Sequence, residues 1–349
     1  MSAPLRSDAF PQLARWLGRK PSPTADLYLG FACSDLIREG AIVRHGPTVF
    51  SAGDTLIVMR QDGGISPLPR HNRLIYLIDD DWRAGIGDPT LPRWYRQRLN
   101  LLEARAARRF ESAADLVIAS SPHLAAILAH NLPGKRIEVL DPAWPEATAP
   151  LPDPHRPART LAYLGAATHR EDADWLQRML APLLARYDHL RLVWSANHPM
   201  TTATSGQIEQ VPALGWEAYR NWMLGQNFDI GLYRISGQGF SAARSVNKLV
   251  EYDQFGAAVL GSYRWDAARP AASEGACLLA GDHVAEWRDT LSRLIREPGL
   301  AHRIALMNRA RQLRDGLSAQ RRRWAALLPD LAAPLLTGAL PEPELKQSA

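Results

Sequence analysis

Short apolar runs separated by polar stretches rich in glycine and proline recur along most of the chain. Residues 55–60 (TLIVMR), 73–78 (RLIYLI), 115–121 (DLVIASS) and 136–140 are apolar without strict alternation. Such runs predict strands covered on both faces, as in a parallel α/β sheet. Residues 26–32 (DLYLGFA) predict the first strand of the series. Between the runs the period changes to that of a helix. Residues 93–112 carry Leu99, Leu102 and Ala106 on one side and arginines on the other, and a second helix is predicted over 122–130. Strand–helix alternation of this kind predicts a doubly wound domain.

The pattern breaks at residues 141–157 (DPAWPEATAPLPDPHRP), where repeated prolines remove ladder donors and predict an extended linker. Beyond it the alternation resumes. Strands are predicted at 160–165, 190–195, 210–214, 228–233, 257–261 and 276–280, and helices at 171–185, 216–225, 284–296 and 300–313. The division expected is a Rossmann-like domain over 1–145, a linker over 146–158 and a second Rossmann-like domain over 159–315. A helix within 316–335 is expected to return to the first domain, and the tail 336–349 to be disordered.

Residues 228–262 hold the densest polar chemistry. After the strand, Ser241 is expected to cap a helix that Gly256 closes, with Val246, Leu249 and Val250 inward. Arg244, Lys248 and Glu251 then share the opposite face at i, i+4 and i+7. Two cations one turn apart repel, which an anion would relieve, and a helix start after a glycine-containing loop favours phosphate. A charged face of this kind also serves as an ordinary solvated surface.

Length and composition narrow the classes. With 349 residues, 46% hydrophobic and 22% charged, the chain fits a globular protein of two domains. No apolar run reaches membrane-spanning length, and the first residues lack the apolar core of a secretory signal. Cys33 and Cys277 alone make a disulfide framework or cysteine zinc site improbable, and a reducing cytoplasm fits. The net charge of +5 suits nucleotide phosphates, a lipid pyrophosphate or an acidic membrane. No zinc-finger spacing, RNA-recognition motif or basic tail points to nucleic acid. Cys33, Ser34 and Ser121 have no evident base partner for nucleophilic hydrolysis.

The words FDIGLYR, RSVNKLVEY and GAAVLGS resemble the donor-binding segment of GT-B glycosyltransferases, above all the bacterial family 4 (group 1) enzymes that build surface polysaccharides. The stretch TLAYLGAATHREDADWL resembles the same family's entry into its second domain. The resemblance implies two Rossmann-like domains across a cleft and a nucleotide-diphosphate sugar as co-substrate, with no metal and no further cofactor. It implies that Lys248 and Arg244 neutralise the departing pyrophosphate and that Glu251 holds the nucleotide ribose. Ser245 and Asn247 would help hold phosphate or sugar hydroxyls, with Tyr252 in the same Lys-x-x-Glu-Tyr helix. Gly165, Thr168 and His169 would face the cleft, with His169 beside the donor phosphate or the transferred sugar. The family's further glutamate, eight positions before Glu251, is replaced by Ala243.

Three readings attach to Asp79-Asp80-Asp81, which follows an apolar strand. It binds a metal, as the Asp-x-Asp of GT-A enzymes does, or meets acceptor hydroxyls and acts as a base, or is a capped acidic turn. Asp79 and Asp81 are the pair assigned to catalysis. The cluster Arg93-Trp94-Tyr95-Arg96-Gln97-Arg98 mixes aromatic and cationic groups, as either a solvated basic face or a peripheral contact with an anionic membrane near a lipid-linked acceptor. The function expected is transfer of a sugar, with retention of configuration, to a hydroxyl of a saccharide or lipid-linked glycan. The setting expected is the cytoplasm, at the inner face of the plasma membrane. The rivals are a nucleotide-sugar 2-epimerase of the same fold and a non-catalytic binding subunit.

Overall fold

The computed structural model describes residues 21–165, 170–195, 200, 206–212 and 214–338. Among them the strands form two six-stranded sheets. The first contains β1 (Ile42–Arg44), β2 (Val49–Ala52), β3 (Thr55–Met59), β4 (Arg73–Ile78), β5 (Leu116–Ala119) and β6 (Ile137–Val139), in sequence order. The edge strand β1 pairs antiparallel with β2, as β2 does with β3, whereas β3 to β6 run parallel.

Both faces of this sheet are apolar because every second side chain points the same way. Leu56, Val58, Leu74, Tyr76 and Val117 pack with Phe110, Leu124 and Leu128 of the crossover helices. Ile57, Met59, Ile75, Leu77 and Ile118 pack on the other side with Leu27, Tyr28, Leu29 and Trp324. Strands laid down in one direction with right-handed crossovers put their helices on a single face. The opposite face is therefore covered by the two ends of the described chain. The helix Leu317–Leu327 crosses back, with Gln320 Nε2 donating to Leu27 O at 2.9 Å and Trp324 Nε1 to Tyr28 O at 2.7 Å. Arg321 is anchored on both oxygens of Asp35, each at 2.9 Å.

The second sheet contains β7 (Thr160–Tyr163), β8 (Arg191–Ser195), β9 (Ile208–Val211), β10 (Ile230–Tyr233), β11 (Ala258–Ser262) and β12 (Leu278–Ala280). Its order is β12-β11-β10-β7-β8-β9, all parallel. The direction of winding reverses between β7 and β10, and such a reversal opens a crevice beyond the carboxyl ends of the two strands.

No helix or strand occurs in residues 141–157, but side chains of the second domain hold this strap along its length. Gln254 donates to Pro145 O at 2.9 Å, Asn227 to Pro150 O at 2.6 Å and Arg309 to Ala149 O at 3.2 Å. Gly256, at φ +71°, lets the strap approach, since a Cβ there would lie 2.1 Å from Pro150 O. Gly256→Ala is expected to destabilise the fold by about 1–2 kcal/mol from the left-handed backbone alone, and by more from the clash. Denaturant midpoints measure it; a loss no larger than the backbone contribution would show that the strap yields freely, and an unchanged midpoint would contradict both contributions.

Several sequence expectations are corrected. Residues 26–32 form no strand: Asp26–Gly30 is a π-helix and 31–32 a turn, because Pro23 starts a helical turn and the apolar side chains pack onto the sheet. The hairpin β1–β2 was not predicted, its strands being only three and four residues long. The helix predicted to begin at Ser241 begins at Asn247 instead, after a short 3₁₀ turn at Gly239–Ser241. The tail expected to be disordered from 336 starts inside the helix Ala332–Thr337, and 339–349 lie outside the described residues.

Candidate functional site

The carboxyl ends of both sheets converge on one cleft. On the first-domain side each parallel strand delivers a polar residue as it ends. Arg60 follows β3, Asp79 and Asp80 follow β4, and Ser120 and Ser121 follow β5. Arg60 has φ +60°, which is unfavourable for a residue with a Cβ. Two hydrogen bonds hold it there: its N–H donates to Leu77 O at 2.8 Å, and its carbonyl accepts from Tyr76 Oη at 2.9 Å.

The Arg60 guanidinium sits among three carboxylates. It lies 3.0 Å from Asp79 Oδ1 and 3.2 Å from Asp80 Oδ2, and donates to Glu103 Oε1 at 2.6 and 2.9 Å. Asp79 also accepts from the Thr24 hydroxyl. Burial pushes the Asp79 carboxyl up to about 6; Arg60 opposes this, while Asp80 and Glu103 add to it. Asp80 reaches across the cleft to Arg244 Nη1 at 2.8 Å. Asp81 instead caps the helix Trp82–Gly87, accepting from Ala84 N at 3.1 Å. The cleft thus receives Asp79 and Asp80, and Asp81 takes the capped-turn role that was one of its three readings.

On the second-domain side, Lys248 Nζ donates to Leu164 O at 2.6 Å, at the carboxyl end of β7, and lies 2.5 Å from Glu251 Oε2. Tyr219, on the helix Trp216–Met223, donates to the other Glu251 oxygen. Arg244 precedes the helix Asn247–Gln254, so it shares no helical face with Lys248. It stacks on Phe240, 4.5 Å from the ring centroid.

Tyr252 is wholly buried and does not line the cleft. Its hydroxyl accepts from Leu164 N at 3.2 Å and donates to Leu232 O at 2.9 Å, tying β7 to β10 where the sheet reverses. The Ser245 hydroxyl accepts from Asn247 N at 3.4 Å, and Asn247 Oδ1 is buried without a hydrogen-bond partner among the described residues. Gly165 lines the cleft with Lys248, whereas Thr168 and His169 lie outside the described residues.

Two adjoining cavities occupy the cleft and share Pro23, Leu27, Asn247 and Lys248. One, of about 400 Å³, is bounded by Gly165, Val211, Trp216, Tyr219 and Glu251. The other, of about 350 Å³, is bounded by Arg60, Asp79, Asp80, Tyr95 and Arg244. Trp94 stands at its edge, 56% exposed, while Tyr95 turns inward against Phe240 at 5.9 Å.

The loop carrying Ala243 explains the missing glutamate. Phe240 is buried against Leu91 and Leu99 of the first domain, and Ala243 packs into the apolar layer around Tyr76 and Leu124. Ser121 Oγ, which caps the helix Pro122–Asn131, also donates to Ala243 O at 2.8 Å. A glutamate at 243 would bury a charge among apolar side chains. Sequence reasoning missed Arg60, Thr24, Glu103 and Tyr219 as members of the site, and within the acidic triplet it preferred Asp81 to Asp80. A charged residue ending a parallel strand, as in TLIVMR, was the available signal for Arg60.

No helix among the described residues is long and apolar enough to cross a membrane. Neither a family model nor a curated protein sequence matches the chain. Solved structures do. A UDP-forming α,α-trehalose-phosphate synthase from Burkholderia xenovorans is similar over 95% of this chain and 81% of its own, at 10% identity and a TM-score of 0.54. TarM from S. aureus is similar over 76% of this chain, at 8% identity and a TM-score of 0.55, and the match spans about half of TarM, 53%. WaaG, a glycosyltransferase involved in lipopolysaccharide biosynthesis, is similar over 77% of this chain and 78% of its own, at 14% identity and a TM-score of 0.51. At such identities the likeness bears on the fold. That fold is GT-B, two α/β domains facing each other across a cleft.

Proposed function

We propose that the protein is a glycosyltransferase moving a sugar from a nucleotide-diphosphate sugar to a hydroxyl of a saccharide or lipid-linked glycan. The observation that carries this reading is Lys248, fixed by Leu164 O and Glu251 at the reversal of the second sheet, across the cleft from the Asp79 carboxyl. A cation at that crevice suits a diphosphate, and stabilising a departing phosphate is usually the largest contribution to such a reaction. Glu251 keeps lone pairs free for a ribose hydroxyl beside Tyr219. The neighbours fit: the TarM structure holds UDP and α-GlcNAc-glycerol, and the trehalose-phosphate synthase is UDP-forming.

In the step proposed, the acceptor hydroxyl gives its proton to Asp79 as its oxygen bonds to the anomeric carbon. The bond from that carbon to the diphosphate breaks, and the nucleoside diphosphate leaves against Lys248. A protein base of this kind makes inversion our reading, in place of the retention implied by the family resemblance. Trp94 and Arg93, exposed beside the acceptor side of the cleft, support contact with an anionic membrane and hence a lipid-linked acceptor made at the inner face of the plasma membrane. Synthesis of a bacterial surface polysaccharide is the setting we infer.

A thermal-shift screen against UDP-, GDP-, dTDP- and CMP-sugars tests the proposal. A donor at a hundred times its Kd adds about 2.7 kcal/mol to stability, and its nucleotide diphosphate is expected to accumulate once acceptor is supplied. No stabilisation by any of them would sink the reading. Turnover without diphosphate release would favour the epimerase.

A further inference from the structure

Resting on the reading of Asp79 as the base, we infer that Arg60 and Glu103 are positioning residues for it. Glu103 holds the Arg60 guanidinium so that Asp79 is only partly neutralised and keeps a carboxylate able to take a proton from the acceptor.

The geometry divides the buried charges unevenly. Asp80 has an arginine on each oxygen, with Arg244 at 2.8 Å and Arg60 at 3.2 Å. Glu103, 2% exposed, takes two donors from Arg60 on one oxygen, at 2.6 and 2.9 Å. Asp79 receives one hydrogen bond from Arg60, at 3.2 Å on Oδ2. Its Oδ1 lies 3.0 Å from Arg60 Nε but accepts no hydrogen bond, because that N–H is directed at Glu103.

Three carboxylates share these two guanidinium groups, with Arg98 adding a longer contact of 4.0 Å to Glu103, and Asp79, on the cleft beside Asp80, keeps a buried oxygen that accepts no hydrogen bond. Neighbouring negative charge favours a proton on such a group. The charged and titratable groups around Asp79 are Arg60, Asp80, Glu103, Arg244, Tyr28 and Tyr76, with Tyr95 and Lys248 lining the same cavity and Arg98 behind Glu103. Of these, Glu103 does not line the cleft cavities and touches Asp79 chiefly through Arg60. The left-handed backbone at Arg60, unfavourable for a residue with a Cβ, keeps this arrangement in place.

The inference separates by sign. Glu103→Gln keeps an acceptor for Arg60 but removes a negative charge, so the Asp79 carboxylate gains stability and its titration moves to lower pH. Arg60→Met removes the positive charge and moves the titration to higher pH. A shift of about one pH unit or more is expected in each direction. The experiment follows the Asp79 carboxyl carbon by NMR in ¹³C-aspartate-labelled full-length protein, assigned with Asp79→Asn, and compares it with the acid limb of kcat/KM.

Opposite movements of the resonance in the two variants support the inference. No movement, or movement in the same direction, overturns it, as expected if the cluster only holds the fold together. Should Arg60→Met fail to fold, the downward shift in Glu103→Gln decides alone. The resonance is read without substrate, so a protein that titrates as expected yet transfers no sugar counts against the transferase reading and leaves the charge relationship standing.

Discussion

Asp79→Asn lowers kcat/KM for sugar transfer by about 10²–10⁴-fold, the usual contribution of a positioned general base, while nucleotide affinity stays within a few-fold. The amide keeps an oxygen for Thr24 and a similar volume, so folding is retained. What it loses is the capacity to accept a proton at the cleft. The wild-type profile carries the matching signature. Burial raises the carboxyl to about 6, so activity that needs the carboxylate is present above that pH and falls as pH drops through it. Full activity in Asp79→Asn would remove the base from the mechanism and restore retention as the better reading.

Lys248→Ala lowers kcat by about 10²–10³-fold, as expected when one donor to a developing anion is removed, and weakens nucleotide binding as well. This substitution also leaves the nearly buried Glu251 carboxylate without its cation, which by itself destabilises the fold. A second variant separates the two effects. Lys248→Ala combined with Glu251→Ala should regain much of the lost unfolding free energy and none of the lost turnover. If turnover recovers along with stability, Lys248 serves the fold and leaves the phosphates to another group.

Much of this architecture was legible as continuous apolar runs, because a parallel strand buried on both faces leaves little room for polar residues. What escaped was decided by contacts distant in sequence. Residues 26–32 carry a strand's composition, yet Leu27 and Tyr28 pack as a helix against Trp324, almost three hundred positions later. The helix carrying Lys248 starts late because Phe240 draws the preceding loop into the first domain, which also turned Arg244 toward Asp80. Asp79 and Asp81 were the pair assigned to catalysis, but which way each carboxylate points is set by the turn that follows the strand. The helix cap at Asp81 takes it out of the cleft, which receives Asp79 and Asp80 instead. Tyr252 shows the converse error: the motif that contains it brings Lys248 and Glu251 to the cleft, while its own hydroxyl serves the sheet.

Because Gln320 and Trp324 complete a face that begins with Leu27 and Tyr28, the amino-terminal domain stays unfinished on the ribosome until the carboxyl-terminal helix emerges. Its parallel strands end with β6 at Val139, and the covering helix begins at Leu317, 178 residues further on (317 − 139). At about 5–20 residues per second, the uncovered side chains of Ile57, Met59, Ile75 and Leu77 wait roughly 9–36 s for their cover. The second domain lies wholly within that interval and can close first. Order of synthesis does not dictate order of folding in such a chain, and an apolar face waits in the nascent chain as a natural client for chaperones.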